Sequence, residues 1–223
     1  MKKILILLLF CIFIFNSCKK DSSNPANINT VPSAPTVTYA GKIYHTVTIG
    51  SQVWLKENLD VGTMINGSQA ASNNGTIEKY CYNDDTANCT RYGGLYQWNE
   101  AMQYVTTPGT KGICPTGWHI PTDAEDETLG TTVNNDGNAL KAVGQGTGSG
   151  VGTNTSGFSA SLAGDRGNNG GFNGLGNFTV FWSSTEGNAT YVYLMNLYGY
   201  DSNIHFNYNT KEFGFSVRCA KDF

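Results

Sequence analysis

The chain has 223 residues, of which 14% are charged, and a formal net charge of −3 at pH 7. Nucleic-acid binding requires basic surface patches, so this charge-poor and mildly acidic composition excludes a nucleic-acid partner. The length fits one domain with a substantial hydrophobic core, and the sequence contains no internal repeat.

The N-terminus has the pattern of an export signal. Two lysines precede a run of twelve apolar residues, 4–15, which is shorter than the roughly 20 residues of a membrane-spanning helix. The run leads into residues 15–18 (FNSC), which resemble the lipobox of bacterial lipoproteins. We therefore predict a lipoprotein signal peptide over residues 1–17 and membrane anchoring through lipid on Cys18. The alternative is an ordinary signal peptide followed by an unmodified cysteine.

The segment after the signal is a predicted linker. Residues 18–38 consist mostly of Ser, Asn, Pro, Thr and Ala, and they lack the apolar side chains whose burial would offset the entropy cost of ordering. We predict a flexible tether over residues 18–38 and a single domain over residues 39–223.

Four cysteines remain in the predicted domain, at positions 81, 89, 114 and 219. Four cysteines in an exported chain favour two disulfides, for which three connectivities exist. Of these we favour Cys81 with Cys89 and Cys114 with Cys219. The second bridge would close a long loop, which is worth about 4 to 5 kcal/mol in the chain-entropy description.

The first predicted element of the domain is a β-hairpin over residues 41–59. Ile43, Val47 and Ile49 alternate with polar or aromatic residues, and Gly50-Ser51 provides the turn. Alternation with a period of two is typical of a half-buried strand.

Two short helices follow in the prediction. Apolar residues at i, i+3 and i+7 from Leu95 indicate a first helix within residues 93–104. The second begins at Thr122 and runs to about residue 132. The Thr122 side chain can cap the first turn, and the Glu125 side chain can accept a hydrogen bond from the Thr122 amide.

A glycine-rich segment separates these helices from the C-terminal strands. Residues 144–176 contain twelve glycines, which predicts mostly loop with short strands near Phe158 and Phe172. Residues 146–150 (GTGSG) superficially resemble a phosphate-binding loop. They lack the preceding strand, the following helix and the lysine of such loops, so we expect no nucleotide there.

The last forty residues contain the candidate binding surface. Between residues 187 and 213, five Tyr and five Asn occur with three charged residues. Tyr and Asn are favoured in antibody paratopes because they combine large contact area with adaptable hydrogen bonding. The alternative is that these are ordinary strand and turn residues. The predicted ligand contacts are Tyr191, Tyr193, Asn196, Tyr198, Tyr200, Asp201, Asn203, His205, Asn207, Tyr208 and Asn209. The residues predicted to face the core are Val192, Leu194, Leu197 and Ile204.

Seven segments of the domain carry recognisable motifs: residues 53–59 (VWLKENL), 80–83 (YCYN), 92–98 (YGGLYQW), 114–122 (CPTGWHIPT), 157–160 (GFSA), 181–186 (FWSSTE) and 214–219 (GFSVRC). Together they resemble the Fibrobacter succinogenes major paralogous domain, over about residues 43–221. This resemblance implies an exported protein or lipoprotein of the Bacteroidetes or Fibrobacteres. It also implies an α+β, C-type-lectin-like fold with two short helices, small antiparallel sheets and much loop.

The related formylglycine-generating enzymes have a motif similar to residues 117–125 (GWHIPTDAE). His119 and Asp126 stand where those enzymes have Arg and Trp, and the reactive cysteine pair that they require is here assigned to disulfides or lipid. Cys114 and His119 lack the paired spacing of a zinc site. The calcium-binding triplets of sugar-binding C-type lectins are absent too. We therefore expect no enzyme activity, no catalytic residues, no metal and no cofactor.

The resemblance also suggests a source of sequence variation. Some members of this fold are diversified by retroelements that randomise Asn codons and never yield Lys, Glu, Gln, Met or Trp. Residues 196–209 contain none of these five types. The sequence thus predicts a surface-exposed outer-membrane lipoprotein whose C-terminal surface binds an external protein or glycan. A structural envelope protein without a selective ligand and a formylglycine-generating-like enzyme are the alternatives.

Overall fold

The computed structural model describes residues 35–223, so the predicted signal peptide, Cys18 and most of the predicted tether lie outside the described residues. Residues 35–223 form fourteen β-strands and four α-helices. The strands are β1 Thr36–Tyr39, β2 Lys42–Ile49, β3 Gln52–Leu55, β4 Thr63–Met64, β5 Glu78–Lys79, β6 Leu95–Gln97, β7 Trp118–His119, β8 Asp165–Arg166, β9 Phe172–Asn173, β10 Phe178–Glu186, β11 Tyr191–Tyr198, β12 Ile204–Thr210, β13 Gly214–Ser216 and β14 Ala220–Lys221. The helices are α1 Thr86–Tyr92, α2 Trp98–Ala101, α3 Asp123–Thr132 and α4 Gly137–Leu140.

These strands form two main sheets and one small pair. The five-stranded sheet has the order β1-β2-β3-β14-β7, and the seven-stranded sheet has the order β12-β11-β10-β13-β8-β9, with β6 also pairing β13. Most pairs are antiparallel, whereas β10 with β13 and β4 with β5 are parallel. The predicted combination of small sheets, short helices and long loops is therefore confirmed.

Aromatic side chains dominate the core, which consists of two hydrophobic clusters. In one, the ring of Trp182 packs 4.5 Å from that of Phe215; in the other, Phe158 packs 5.6 Å from Trp54 and 5.8 Å from Phe181. All four tryptophans are buried. Aromatic pairs of this kind contribute beyond the area that they bury.

Residues 214–221, which we call the closing segment, link the two sheets. Its first part is β13, in the centre of the seven-stranded sheet, and its last part is β14, in the five-stranded sheet. Between them, the carbonyls of Val217 and Cys219 accept hydrogen bonds from the amides of Leu59 and Leu55, at 2.9 and 3.0 Å. Cys219 is also bonded to Cys114, and Cys81 to Cys89, so both predicted disulfides are confirmed.

The predicted capping box at α3 is confirmed. Thr122 accepts a hydrogen bond from the Glu125 amide, and the Glu125 carboxylate accepts one from the Thr122 amide at 2.8 Å. The first predicted helix is wrong in its start, because Leu95 belongs to β6 and pairs with Ser216. The helix α2 begins only at Trp98. Pairing with the distant strand β13 overrides the local helical pattern.

Two further helices, α1 and α4, were not predicted, so the expected number of two helices is wrong. Neither has an apolar periodicity, but each is preceded by an aspartate, Asp85 or Asp136, whose side chain caps its first turn. In the glycine-rich segment, β9 forms at Phe172 as predicted. No strand surrounds Phe158, which is a buried core residue next to an isolated bridge between Lys141 and Ala160.

The hairpin of β2 and β3 forms around Gly50-Ser51 as predicted, but one core position is wrong. The side chain of Ile43 is 63% exposed, whereas Tyr44 is buried and its hydroxyl accepts a hydrogen bond from the Asp60 amide. Regular secondary structure also begins before residue 39, the predicted start of the domain. Strand β1 starts at Thr36, because it pairs with β2 and packs Val37 against the core. Within residues 35–223, no helix is long and apolar enough to cross a membrane.

The two disulfides should differ in their contributions to stability. Cys114 and Cys219 are 105 residues apart, and Cys81 and Cys89 only 8. We expect replacement of the first pair by serine to lower the free energy of unfolding by about 4 to 5 kcal/mol, and replacement of the second by about 2 to 3 kcal/mol. Urea denaturation of both double variants measures this difference. Equal losses would show that loop-closure entropy does not govern the two contributions.

Candidate functional site

The Tyr- and Asn-rich stretch folds into an antiparallel hairpin of β11 and β12 at the edge of the seven-stranded sheet. Its register places Tyr193 opposite Tyr208 and Asn196 opposite His205. Because successive side chains of a strand point to opposite sides, the hairpin has two chemically distinct faces.

The aromatic face consists of Tyr191, Tyr193, Phe206 and Tyr208, and all four side chains are exposed. The rings of Tyr191 and Tyr208 contact each other edge to face, with centroids 5.4 Å apart. With Gly187 and Asn188, the three tyrosines line a depression of about 290 Å³. Phe206 was not predicted as a contact; its spacing of two from Tyr208 is the signal that could have identified it.

The opposite face carries the amide groove, a cavity of about 270 Å³. The hairpin contributes six residues to its lining, of which Tyr208 also lines the aromatic depression: Leu194, Asn196, Tyr198, Asn207, Tyr208 and Asn209. Apolar side chains from the neighbouring strands and the Asp165 carboxyl complete it. The groove therefore combines amide groups with an apolar floor, which is the composition of small-ligand sites.

Asn196 has an unfilled hydrogen-bonding position in this groove. Its side chain is only 8% exposed, and its Nδ2 donates to the Tyr198 hydroxyl at 3.2 Å. Its Oδ1 is buried and has no hydrogen-bond partner within residues 35–223. A buried acceptor without a donor costs about 1 to 3 kcal/mol, so a ligand that supplies an N–H or O–H here would recover that energy.

The turn between the two strands contains Tyr200, Asp201 and Asn203. The Asp201 carboxylate accepts hydrogen bonds from the Asn203 amide, at 3.0 Å, and from the His205 ring. These bonds, the Asn203 amide first, lower the pKa of Asp201. The Tyr200 ring packs 5.3 Å from that of Tyr198, so the turn presents an ordered polar tip.

A buried lysine holds this turn in place. The Lys141 Nζ donates to the backbone carbonyls of Tyr198 and Asp201, at 2.7 and 2.6 Å. Burial lowers the pKa of Lys141, and Asp201 and Asp136 oppose that shift. Sequence reasoning missed this residue, because a single lysine before a glycine-rich segment carries no signal of long-range contact.

The glycines of residues 146–150 also support the turn. The Thr147 amide donates to the Gly199 carbonyl at 2.7 Å, and the Ser149 hydroxyl donates to the Tyr200 carbonyl at 3.1 Å. A Cβ atom on Gly150 would lie 2.3 Å from the Gly199 carbonyl oxygen. The glycines thus allow two backbone segments to approach closely, which is their structural role.

The predicted core residues of the hairpin, Val192, Leu194, Leu197 and Ile204, are all buried, as predicted. The eleven predicted contacts do not share one surface. They divide among the aromatic face, the amide groove and the turn, because alternation separates neighbours on the same strand. Asn196 is the one buried member, and its binding role, like that of the other ten, stays a prediction.

Histidines have carboxylate partners that the sequence did not reveal. His45 contacts Glu57 at 2.7 Å, and His205 contacts Asp201. His119 lies between Glu125 at 2.9 Å and Asp222 at 2.7 Å, and so ties the start of α3 to the chain end. No cluster of three or more potential metal-ligating side chains occurs in the described part of the chain.

His119 should make stability depend on pH. Hydrogen bonding to Glu125, followed by that to Asp222, raises the pKa of His119 above its usual value of 6.5, although burial opposes this. A raised pKa means that the stabilisation is complete below about pH 6.5 and is lost as the pH rises through the folded-state value. We expect His119→Gln to abolish this loss and Asp222→Asn to reduce it, as measured by urea denaturation from about pH 6 to about pH 9. Identical pH profiles for wild type and His119→Gln would contradict the assignment.

Comparison with known proteins identifies one family. A sequence model of the Fibrobacter succinogenes major domain matches residues 47–221. No curated protein matches the chain, and no solved structure matches it.

Proposed function

The chain belongs to the Fibrobacter succinogenes major domain family, and we propose that it is a lipid-anchored envelope protein whose β11–β12 hairpin binds an external ligand. The proposed anchor is lipid on Cys18, with residues 18–34 as the link to the domain. The predicted export signal and the lipobox-like residues 15–18 support an envelope lipoprotein, and outer-membrane, surface-exposed display is part of the proposal. We also propose that the fold is C-type-lectin-like, on the basis of the sequence motifs.

The observation that supports binding most strongly is the combination of two adjacent surfaces on one hairpin. The aromatic face exposes three tyrosines and a phenylalanine, and exposed aromatic clusters are typical of interaction sites. On the other side, the amide groove contains the unpaired Oδ1 of Asn196. Exposed aromatic rings and a buried acceptor without a donor both cost free energy in the unbound protein. Both lie on this hairpin, where a ligand could cover the rings and donate to the acceptor.

The chemistry of these surfaces favours a neutral ligand surface. Of the three charged residues between 187 and 213, Lys211 pairs with Glu186, and the Asp201 carboxylate is hydrogen-bonded to Asn203 and His205. The third, Glu212, is exposed and forms no ion pair within residues 35–223, but it lines neither surface. Binding would therefore depend on aromatic contact and amide hydrogen bonds rather than on ion pairs. Both a protein surface and a glycan offer such contacts.

We expect simultaneous replacement of Tyr191, Tyr193 and Tyr208 by alanine to remove binding while leaving the melting temperature nearly unchanged, because these side chains are exposed. Arrays of glycans and of envelope proteins, probed with wild type, would identify the ligand, and titration of the variant would measure the loss. The matched controls are Phe223→Ala, a residue that is 95% exposed and lines neither surface, and Leu194→Ala, which should cost about 2 to 5 kcal/mol of stability.

Two results would contradict this proposal. One is that wild type selects no ligand on either array, which would favour the structural envelope protein. The other is that the triple tyrosine variant unfolds as readily as Leu194→Ala, since the tyrosines would then be core residues. A parallel variant, Asn207→Ala with Asn209→Ala, tests whether the amide groove contributes separately.

A second proposal concerns how the surface arises. Every exposed residue of β12 is Phe, Asn or Tyr, and residues 196–209 lack the five types that Asn-codon randomisation cannot produce. These observations favour diversification by a retroelement. We expect the genomic neighbourhood to contain a reverse transcriptase gene and a near-copy of the region encoding residues 187–219. Sequencing that finds neither would refute the idea without affecting the binding proposal.

A further inference from the structure

A second cavity, of about 440 Å³, lies apart from the hairpin and shares no lining residue with either of its surfaces. It is bordered by β2, by the chain that follows β3, by the end of α1 and by residues 159–161. We call it the cationic cavity, because its lining contains four cations, Lys42, Lys56, Arg91 and Arg218, and two carboxylates, Glu57 and Asp60.

Arg218 is a buried cation without a carboxylate partner. Arg218 is only 2% exposed, and its side chain forms no ion pair within residues 35–223. Its Nε and Nη2 donate to the Asn58 side chain, and Nη1 donates to the carbonyls of Leu55 and Phe158. A guanidinium has five N–H donors, so one hydrogen of Nη2 has no partner.

The charge of Arg218 persists at neutral pH. Burial lowers the pKa of Arg218 to about 9, and the Glu57 carboxylate opposes this shift. The guanidinium also packs over the ring of Phe158, 4.3 Å from its centroid. Carbonyl oxygens and a ring face partly stabilise a buried cation, but they supply no opposite charge.

Two of the other cations of the cavity are also unpaired. Neither Lys56 nor Arg91 contacts a carboxylate within residues 35–223. The Asp60 carboxylate is shared between Lys42, which also lines the cavity, and Lys79, and the Glu57 carboxylate contacts the His45 ring. Four lysine and arginine charges against two carboxylates therefore leave the lining with an excess of two positive charges.

Two serines also line the cavity, and they differ in their hydrogen bonding. Ser159 has a left-handed backbone, with φ of +60°; its amide donates to the Asn154 side chain at 2.9 Å, and its hydroxyl is engaged with Asn154 and the Gly157 carbonyl. A non-glycine residue in this region of backbone space is unfavourable, and such positions concentrate at ligand sites. The Ser161 hydroxyl also lines the cavity and forms no hydrogen bond within the described residues.

We propose that the cationic cavity binds a small multivalent oxyanion, a molecule carrying phosphate or carboxylate groups, through Lys56, Arg91 and Arg218. Arginine matches the planar geometry of both groups with paired hydrogen bonds. The volume is within the range of sites for small molecules. Such a ligand would provide the missing counter-charge for Arg218 and a partner for its free Nη2 hydrogen.

Isothermal titration calorimetry of the purified protein with pyrophosphate and with citrate tests this proposal. The test protein is a double variant that carries both Lys56→Gln and Arg91→Gln. It lacks one half-buried and one exposed cation and keeps the buried Arg218. The control is Lys111→Gln, an exposed lysine that does not line the cavity. We expect at least one probe to bind wild type and the control equally, and to bind the double variant at least about tenfold more weakly, because charge-assisted hydrogen bonds are lost.

The comparison of the two probes separates phosphate from carboxylate recognition, and either preference supports an oxyanion site. The proposal is overturned if neither probe binds wild type, or if the double variant binds as tightly as Lys111→Gln. Thermal unfolding of all three proteins checks that they remain folded. Loss of oxyanion binding leaves the hairpin's ligand unaffected, so the two proposals fail independently.

Discussion

The bond between Cys114 and Cys219 anchors the segment on which both sheets depend. Its neighbours on the closing segment, β13 and β14, pair with five other strands and connect the two sheets. Arg218, immediately before the bridge, gathers the carbonyls of Leu55 and Phe158 around one charge. A covalent link at this point restricts the unfolded chain over a long loop, and so stabilises contacts that are distant in sequence.

The hairpin of β11 and β12 does not pair with the closing segment and is connected to it through β10. One edge of the hairpin pairs with β10, while Leu194 and Leu197 enter the core on opposite sides of the sheet. Lys141, Thr147 and Ser149 hold the turn by donating hydrogen bonds to the backbone carbonyls of residues 198–201. The stability of the hairpin thus derives from residues other than its exposed tyrosines and asparagines, which is the condition for a surface that can change without loss of the fold.

Local signals predicted the local features. The capping box at Thr122, the turn at Gly50-Ser51 and the buried alternation of β11 all depend on neighbouring residues. Features set by distant contacts were not predictable. Leu95 became a strand residue because β13 pairs with it, and the partners of Lys141 and Arg218 are far away in sequence. The Tyr- and Asn-rich composition of residues 187–213 was recognisable in the sequence, whereas the division of this stretch into two faces required the register of the hairpin.

The independence of fold and surface is tested most directly by two displayed libraries. One randomises the exposed positions Tyr191, Tyr193, Asn207 and Tyr208, and the other randomises the buried positions Val192, Leu194, Leu197 and Ile204. Protease resistance of individual members measures how many still fold. Most members of the exposed library should be as resistant as wild type, and most of the buried library should be degraded. Equal losses in the two libraries would contradict the account, because the exposed side chains would then be part of what holds the domain together.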